Sequence, residues 1–169
     1  DNIALSAPTS FGKSFIIDAF IANKKPNNVV IIVPTISLTD ETRKRINKKF
    51  GNEYKIITTP NIKLSDKNIF IFPQERAINY SNIIEEIDLL IIDEFYKISK
   101  ANDKERAVKL QEALIKLDRK SKQKYFLAPN IKSIKDNPFT DGMIPIVKLD
   151  FNTVVLKHHK LYKEIKNDE

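Results

Sequence analysis

The sequence predicts an α/β domain: a mostly parallel central sheet with helices on both faces. Short β-branched runs recur along the chain, with segments of helical spacing between them, and this alternation is the pattern of a doubly wound sheet. The runs are apolar almost without alternation, as strands are when helices cover them on both sides. With 169 residues, 41% hydrophobic and 30% charged, the chain has the size and balance of one soluble domain with a real core.

Taken in order, the strands are expected at Ile3 to Leu5, Val29 to Val33, Lys55 to Thr58, Asn68 to Phe72, Leu89 to Ile92 and Lys124 to Leu127. The helices are expected at Lys13 to Ala22, Leu38 to Phe50, Gln74 to Asn82 and Asp103 to Asp118. Lys25-Pro26-Asn27-Asn28 stops the first helix, and Gly51-Asn52 stops the second, where glycine reaches the positive φ of a C-cap most easily. Thr39 or Asp40 is an alternative cap for the start of the second helix. After Pro129, Asn137-Pro138 and Asp141-Gly142 mark turns, and a strand-like run from Ile144 to Leu156, interrupted by Asp150 to Asn152, reads as an edge extension or exit segment.

Composition narrows the function classes. No apolar run approaches the roughly 18 residues needed to cross a bilayer, so no membrane partner is expected. The chain has no cysteine and no recognisable secretory leader; together these lead to the expectation of a reducing cytoplasm, with no disulfide, thiolate zinc site or cysteine nucleophile. A net charge of +7 favours polyanionic partners such as nucleic acid, although a Lys-, Asn- and Ile-rich composition also follows from AT-rich coding.

Ala7-Pro8-Thr9-Ser10-Phe11-Gly12-Lys13-Ser14 lies between an apolar strand and an amphipathic helix, which is the setting of a phosphate-binding loop. The loop from Pro8 to Ser14 suits phosphate oxygens through the backbone N–H groups that follow Pro8 and the helix N-terminus, Lys13 neutralises the β and γ oxygens, and the Ser14 hydroxyl is suited to Mg²⁺. The chain holds only 3 glycines, and one stands immediately before Lys13-Ser14. A phosphate loop also needs a carboxylate at the end of a neighbouring buried strand. Asp88-Leu89-Leu90-Ile91-Ile92-Asp93-Glu94 supplies two: Asp93 to hold Mg²⁺ through a coordinated water, and Glu94 to orient or deprotonate the attacking water. Lys13, Asp93 and Glu94 are thus the catalytic candidates, with ATP and Mg²⁺ as cofactors.

These two elements resemble the first and second motifs of superfamily 2 helicases, the group that contains the DEAD- and DEAH-box proteins. Ala7 stands where the general loop has glycine, as in that group, while Phe95 and Tyr96 replace the last two residues of the named boxes. The resemblance implies a RecA-like P-loop domain over residues 1–145, followed by residues 146–169 as an exit segment toward a second RecA-like motor domain. It also implies an ATPase that acts on DNA or RNA. The arginine finger of such a motor comes from the second domain and contributes about 10³–10⁵ in rate, so this domain alone is expected to be weakly active or inactive. A signalling-type P-loop NTPase or phosphotransferase that ignores nucleic acid is the alternative.

Other turns resemble that family's nucleic-acid elements. Val33-Pro34-Thr35 looks like its Pro-Thr turn, and Phe72-Pro73-Gln74-Glu75-Arg76 like its Thr-Pro-Glu-Arg element, which makes Pro34, Thr35, Gln74 and Arg76 candidate contacts, with Thr58 on the same edge. Hydroxyl capping of ordinary turns is the competing role for Thr35, Thr58 and Thr59. The basic runs Arg43 to Lys49 and Arg119 to Lys124 read as solvated faces rather than as nucleic-acid patches. Tyr125 to Asn130 falls where the family places Ser-Ala-Thr, without its hydroxyls, and His158 and His159 receive no role.

Overall fold

The computed structural model describes residues 1–8, 12–95, 104–129 and 139–147, with the backbone alone over 104–110. Its elements are β1 (Ile3–Ser6), α1 (Lys13–Lys24), β2 (Asn28–Val33), α2 (Ile36–Phe50), β3 (Lys55–Ile57), β4 (Asn68–Pro73), a 3₁₀ turn (Gln74–Arg76), α3 (Ala77–Ser81), β5 (Ile87–Ile92), α4 (Lys104–Arg119), β6 (Ser121–Ala128) and β7 (Ile144–Val147). The strands form one 7-stranded sheet in the order β3-β4-β2-β5-β6-β1-β7. Every pairing in it is parallel, so all the described strands run the same way and their carboxyl ends share one edge.

The strand sequences explain why helices cover both faces. Along β2, Val29, Ile31 and Val33 point to one face while Val30 and Ile32 point to the other, and all are buried. Ile17 and Ile21 of α1 and Ile46 of α2 cover the first face. Ala77 and Tyr80 of α3, with Ala113, Leu114 and Leu117 of α4, cover the second. Truncating a central side chain such as Leu90, fully enclosed between these layers, removes about 2–5 kcal/mol by the usual transfer and cavity terms.

The ends of elements differ from expectation in four places. Helix α2 begins at Ile36, capped by Thr35, whose Oγ1 accepts from Leu38 N–H at 3.3 Å; Thr39 lies inside the helix and donates back to the Thr35 carbonyl. Gly51 does not use a positive φ, since it sits at φ −60°; glycine is needed there because a Cβ would come within 2.6 Å of the Asn47 carbonyl oxygen. The expected helix over Gln74 to Asn82 is split into a 3₁₀ turn and a short α-helix. Strand β6 begins at Ser121, before the expected Lys124, and three lysines of the run expected as a solvated face are engaged: Lys120 caps the Ser81 and Ile84 carbonyls, Lys122 meets Glu86 and Asp88, and Lys124 meets Asp118.

The first part of the tail run, β7, pairs with β1 in register, Ile3 with Ile144 through Ser6 with Val147. Ile146 and Val147 are therefore members of the sheet, although the expected boundary at residue 145 falls between them and Pro145. Residues 148–169, with His158 and His159, lie outside the described residues, as do Asn137-Pro138, Tyr96 and Asn130. Among the described residues no helix is long and apolar enough to cross a membrane.

Candidate functional site

The phosphate-loop strand β1 and the acid strand β5 are not neighbours, because β6 runs between them. Their carboxyl ends nonetheless open on the same edge, on either side of the end of β6. Backbone bonds continue past the strand ends on each side: Ala7 N–H donates to the Ala128 carbonyl at 3.1 Å, tying β1 to β6, and Asp93 N–H donates to the Ile32 carbonyl at 2.9 Å, tying β5 to β2.

Lys13 lies against the loop and within electrostatic reach of the acids. Its ammonium donates to the Ala7 carbonyl at 2.9 Å and to the Pro8 carbonyl at 3.4 Å, which folds the side chain back over the start of the loop. Burial pushes the Lys13 ammonium below the ordinary lysine value, and the charges of Asp93 and Glu94 oppose that shift. Desolvation favours a close anionic partner for this ammonium, while a phosphate beside the two carboxylates would need a divalent cation to offset their repulsion.

Gly12 caps α1 in the left-handed region at φ 80°, which L-residues avoid. A Cβ there would meet nothing closer than Phe15 Cβ at 3.8 Å, so the backbone conformation is what requires glycine. Ser14 is exposed in the first turn of α1, beside Lys13. Thr9, Ser10 and Phe11, the middle of the predicted loop, lie outside the described residues.

Asp93 and Glu94 follow β5 directly. Asp93 Oδ1 accepts from Glu94 N–H at 3.0 Å, which orients the carboxylate across the turn. Glu94 adopts φ 51°, a left-handed conformation that costs a non-glycine residue roughly 1–2 kcal/mol. Strain of this kind is found where a fold holds a side chain for a task. One carboxylate oxygen of Glu94, Oε2, is buried. The described residues thus bring together a left-handed glycine, a desolvated lysine, a hydroxyl at a helix start and two carboxylates, a donor set that fits a triphosphate with its divalent cation.

The candidate nucleic-acid residues lie along the same edge, beyond β5. Pro34 is buried and Thr35 exposed after β2, and Arg76 is exposed after β4. Gln74 is only 8% exposed, and its Nε2 donates toward the Asp93 carbonyl at 3.4 Å, so this side chain faces the acid turn rather than solvent. Thr58 is held through its carbonyl, which accepts from the Tyr80 hydroxyl at 2.5 Å, and the Tyr80 ring stacks on Phe72 with centroids 4.2 Å apart.

Sequence reasoning missed two features of this edge. The first is the Gln74 link to Asp93, which joins two turns that are 19 residues apart. The second is Asp18, which is buried on α1 and takes both Arg45 and Lys49 of α2. A signal for it existed, since Asp18 is the only acid in α1 and Arg45 and Lys49 are spaced to share one helix face.

Comparisons with known proteins agree with this geometry. The chain is 40% identical over 164 residues to Anti-bacteriophage protein B of Escherichia coli (strain K12), covering 92% of this chain and 22% of that protein, so it spans under a quarter of the relative's length. Among solved structures it resembles the Sulfolobus solfataricus SWI2/SNF2 ATPase core in complex with dsDNA, with a TM-score of 0.56 and 19% identity over 75% of this chain and 27% of that one. It also resembles a hypothetical ATP-dependent RNA helicase from Sulfolobus tokodaii, with a TM-score of 0.65 and 15% identity over 87% of this chain and 48% of that one. Both likenesses bear on the fold, which is the RecA-like α/β arrangement of helicase cores. The family profile of the DEAD/DEAH box helicases matches residues 1–129, ending where β6 gives way to Pro129, and the chain belongs to that family.

Proposed function

We propose that this domain is the ATP-binding half of a nucleic-acid-dependent motor that couples ATP hydrolysis to translocation along, or remodelling of, DNA or RNA. The observation that carries the reading is Lys13: one ammonium, folded against the phosphate turn, lies in the field of both Asp93 and Glu94. In this reading the loop from Pro8 to Ser14 holds ATP, with Ser14 and Asp93 holding Mg²⁺. Bound ATP·Mg²⁺ would supply the phosphoanhydride bond and the divalent charge that steadies its β and γ oxygens.

The chain's own residues do the rest. Lys13 exchanges its bonds to the Ala7 and Pro8 carbonyls for phosphate oxygens, and so reports occupancy to the strand end. Asp93 is oriented by the Glu94 N–H and steered from behind by the Ile32 carbonyl. Glu94, held in its left-handed conformation, orients the attacking water and takes its proton. Thr35, Thr58 and Arg76 line the same edge and contact the phosphates of one strand, while Gln74 supports the acid turn. A second RecA-like domain of the full-length protein closes on this edge and supplies the missing arginine, so that the domain by itself turns over weakly or not at all. The motor works in the cytoplasm, and the name of the E. coli relative supports a role in defence against bacteriophage.

The test is ATP hydrolysis by the full-length protein with and without mixed-sequence DNA and RNA at low salt. Stimulation by either polymer is expected, and it should be lost when Lys13 is replaced by Ala. Turnover indifferent to both polymers would favour a P-loop NTPase of another kind.

A further inference from the structure

Two features take no part in the chemistry above, yet they meet: the basic run of α2 and the carboxylate of Asp18. Asp18 is 5% exposed on α1, one turn beyond Ser14. Arg45 donates from Nη1 to Asp18 Oδ1, and Lys49 Nζ donates to Asp18 Oδ2 at 2.6 Å. Arg45 Nη1 also approaches the Ser14 carbonyl at 3.4 Å. Both carboxylate oxygens are therefore occupied by cations from a single helix face, and one of those cations touches the residue next to Lys13.

Stability alone does not call for this arrangement. The rest of the contact between the two helices and the sheet is apolar, through Ile17, Ile21 and Ile46, and an ion cluster built on the buried Asp18 carboxylate contributes little that well-packed apolar side chains would not. What charged, two-point contacts do provide is register. Apolar surfaces slide past one another at small cost, whereas a carboxylate gripped at both oxygens resists displacement in any direction.

The other end of α2 is where that register gains meaning. The helix starts at Thr35, which caps it through Leu38 N–H, and Thr35 belongs to the turn assigned to a nucleic-acid strand. From Thr35 to Arg45 the helix is a stiff rod of roughly 15 Å at its usual rise per residue. A displacement of the Thr35 turn therefore reaches Arg45, and through Arg45 it reaches Ser14 and Asp18 on the phosphate-loop helix.

We propose that the Asp18–Arg45–Lys49 cluster couples the strand-contacting turn to the phosphate loop, so that nucleic acid held at Thr35 sets the position of Lys13 and Ser14. Asp18 and Arg45 are positioning residues, since neither touches nucleotide. The inference rests on the motor reading, and it gives Arg45 and Lys49 an inward task while Lys44 and Lys48 of the same run stay solvated.

Steady-state ATP hydrolysis by the full-length protein, measured with and without mixed-sequence DNA and RNA oligonucleotides, tests it. Asp18→Asn and Arg45→Gln should each leave basal kcat and KM near wild type, along with oligonucleotide affinity in the absence of nucleotide. Each should cut the nucleic-acid-stimulated increment about fivefold or more, the scale of a lost coupling. Asp18→Glu should recover part of that increment, and the double variant should be no worse than the worse single one. Equal losses in basal and stimulated turnover mean a purely structural role and overturn the proposal, as does wild-type stimulation in both variants. Should Asp18→Asn fail to fold, Arg45→Gln decides, because it leaves Asp18 paired with Lys49. A wild type that no oligonucleotide stimulates sinks the motor reading itself, which separates that failure from failure of the coupling alone.

Discussion

At the amino ends of the strands polar groups turn on one another, whereas at the carboxyl ends the same chain holds them toward solvent or under strain. Asp88, at the start of β5, accepts from the Asn27 and Asn28 amides at 2.9 Å each and meets Lys122. Asn68, at the start of β4, donates to Asn28 Oδ1 at 3.0 Å and to the Ser65 carbonyl at 2.7 Å. Across the sheet the picture reverses: Gly12 and Glu94 take left-handed backbone, Lys13 carries a burial penalty, and Thr35 and Arg76 stand exposed. One edge closes the fold and the other keeps polar residues exposed or strained, and it is the carboxyl edge, where open α/β sheets gather their ligands.

The comparison breaks first, and most severely, at Glu94. If this residue manages the attacking water, Glu94→Gln in the full-length protein should lower turnover by about 10²–10⁴, the usual contribution of a general base, while ATP binding persists. Unchanged turnover would mean that the strained acid at the carboxyl edge has no chemical task. Fluorescent-nucleotide titration beside a phosphate-release assay separates the two quantities.

Asp88 gives the matching experiment at the opposite edge. Asp88→Ala should cost about 1–3 kcal/mol in chemical denaturation, because it strips an acceptor from two backbone amides, and it should leave nucleotide affinity alone. Burial pushes the Asp88 carboxyl up, but the Asn28 amide, Lys122 and the Asn27 amide outweigh that and hold it below the ordinary carboxylate value. A depressed folded-state pKa contributes stability that is fully present above the unfolded value of about 4 and is lost as pH falls through the folded one. Denaturation midpoints from neutral pH down should therefore fall less for Asp88→Asn than for wild type in that acid window. An identical acid profile would remove Asp88 from the set of groups that close this edge.

How much of this was legible beforehand depends on the range of the contact involved. The strands could be placed because each carries its own apolar run, and the starts of β2, β5 and β6 fall earlier than expected because Asn28, Asp88 and Ser121 to Gln123 are polar and interrupt such runs. The phosphate loop and the acid pair were legible because their chemistry needs particular residues in unbroken order. Gly51 misled because glycine has two uses, and local sequence does not reveal a carbonyl that would crowd a Cβ. The Asp18 cluster joins residues 27 and 31 positions apart, and helix periodicity gives each face without saying which faces meet.

A smaller effect is expected at Thr35, where two roles coincide. Thr35→Ala should remove about 1 kcal/mol through loss of the α2 cap. Thr35→Asn, which caps as well as threonine does, should restore that stability. If Thr35 also meets a strand phosphate, oligonucleotide affinity should respond to the shape of the substituted side chain even where stability has been recovered. Full recovery of both in Thr35→Asn would reduce Thr35 to a capping residue.

Arg76 carries the smallest structural consequence and for that reason isolates the ligand-facing character of its edge most cleanly. It is exposed at the end of a short 3₁₀ turn, so Arg76→Ala should shift folding stability by no more than about 0.5 kcal/mol. As a phosphate contact it should weaken oligonucleotide binding to a similar degree for every sequence, and it should reduce the slope of log affinity against log salt by about one. Binding by the full-length protein across a salt series supplies that slope directly. A loss confined to particular sequences would instead make Arg76 a reader of bases, and an unchanged slope would move the strand's path away from the 3₁₀ turn and leave the Thr35 side of the edge to carry it.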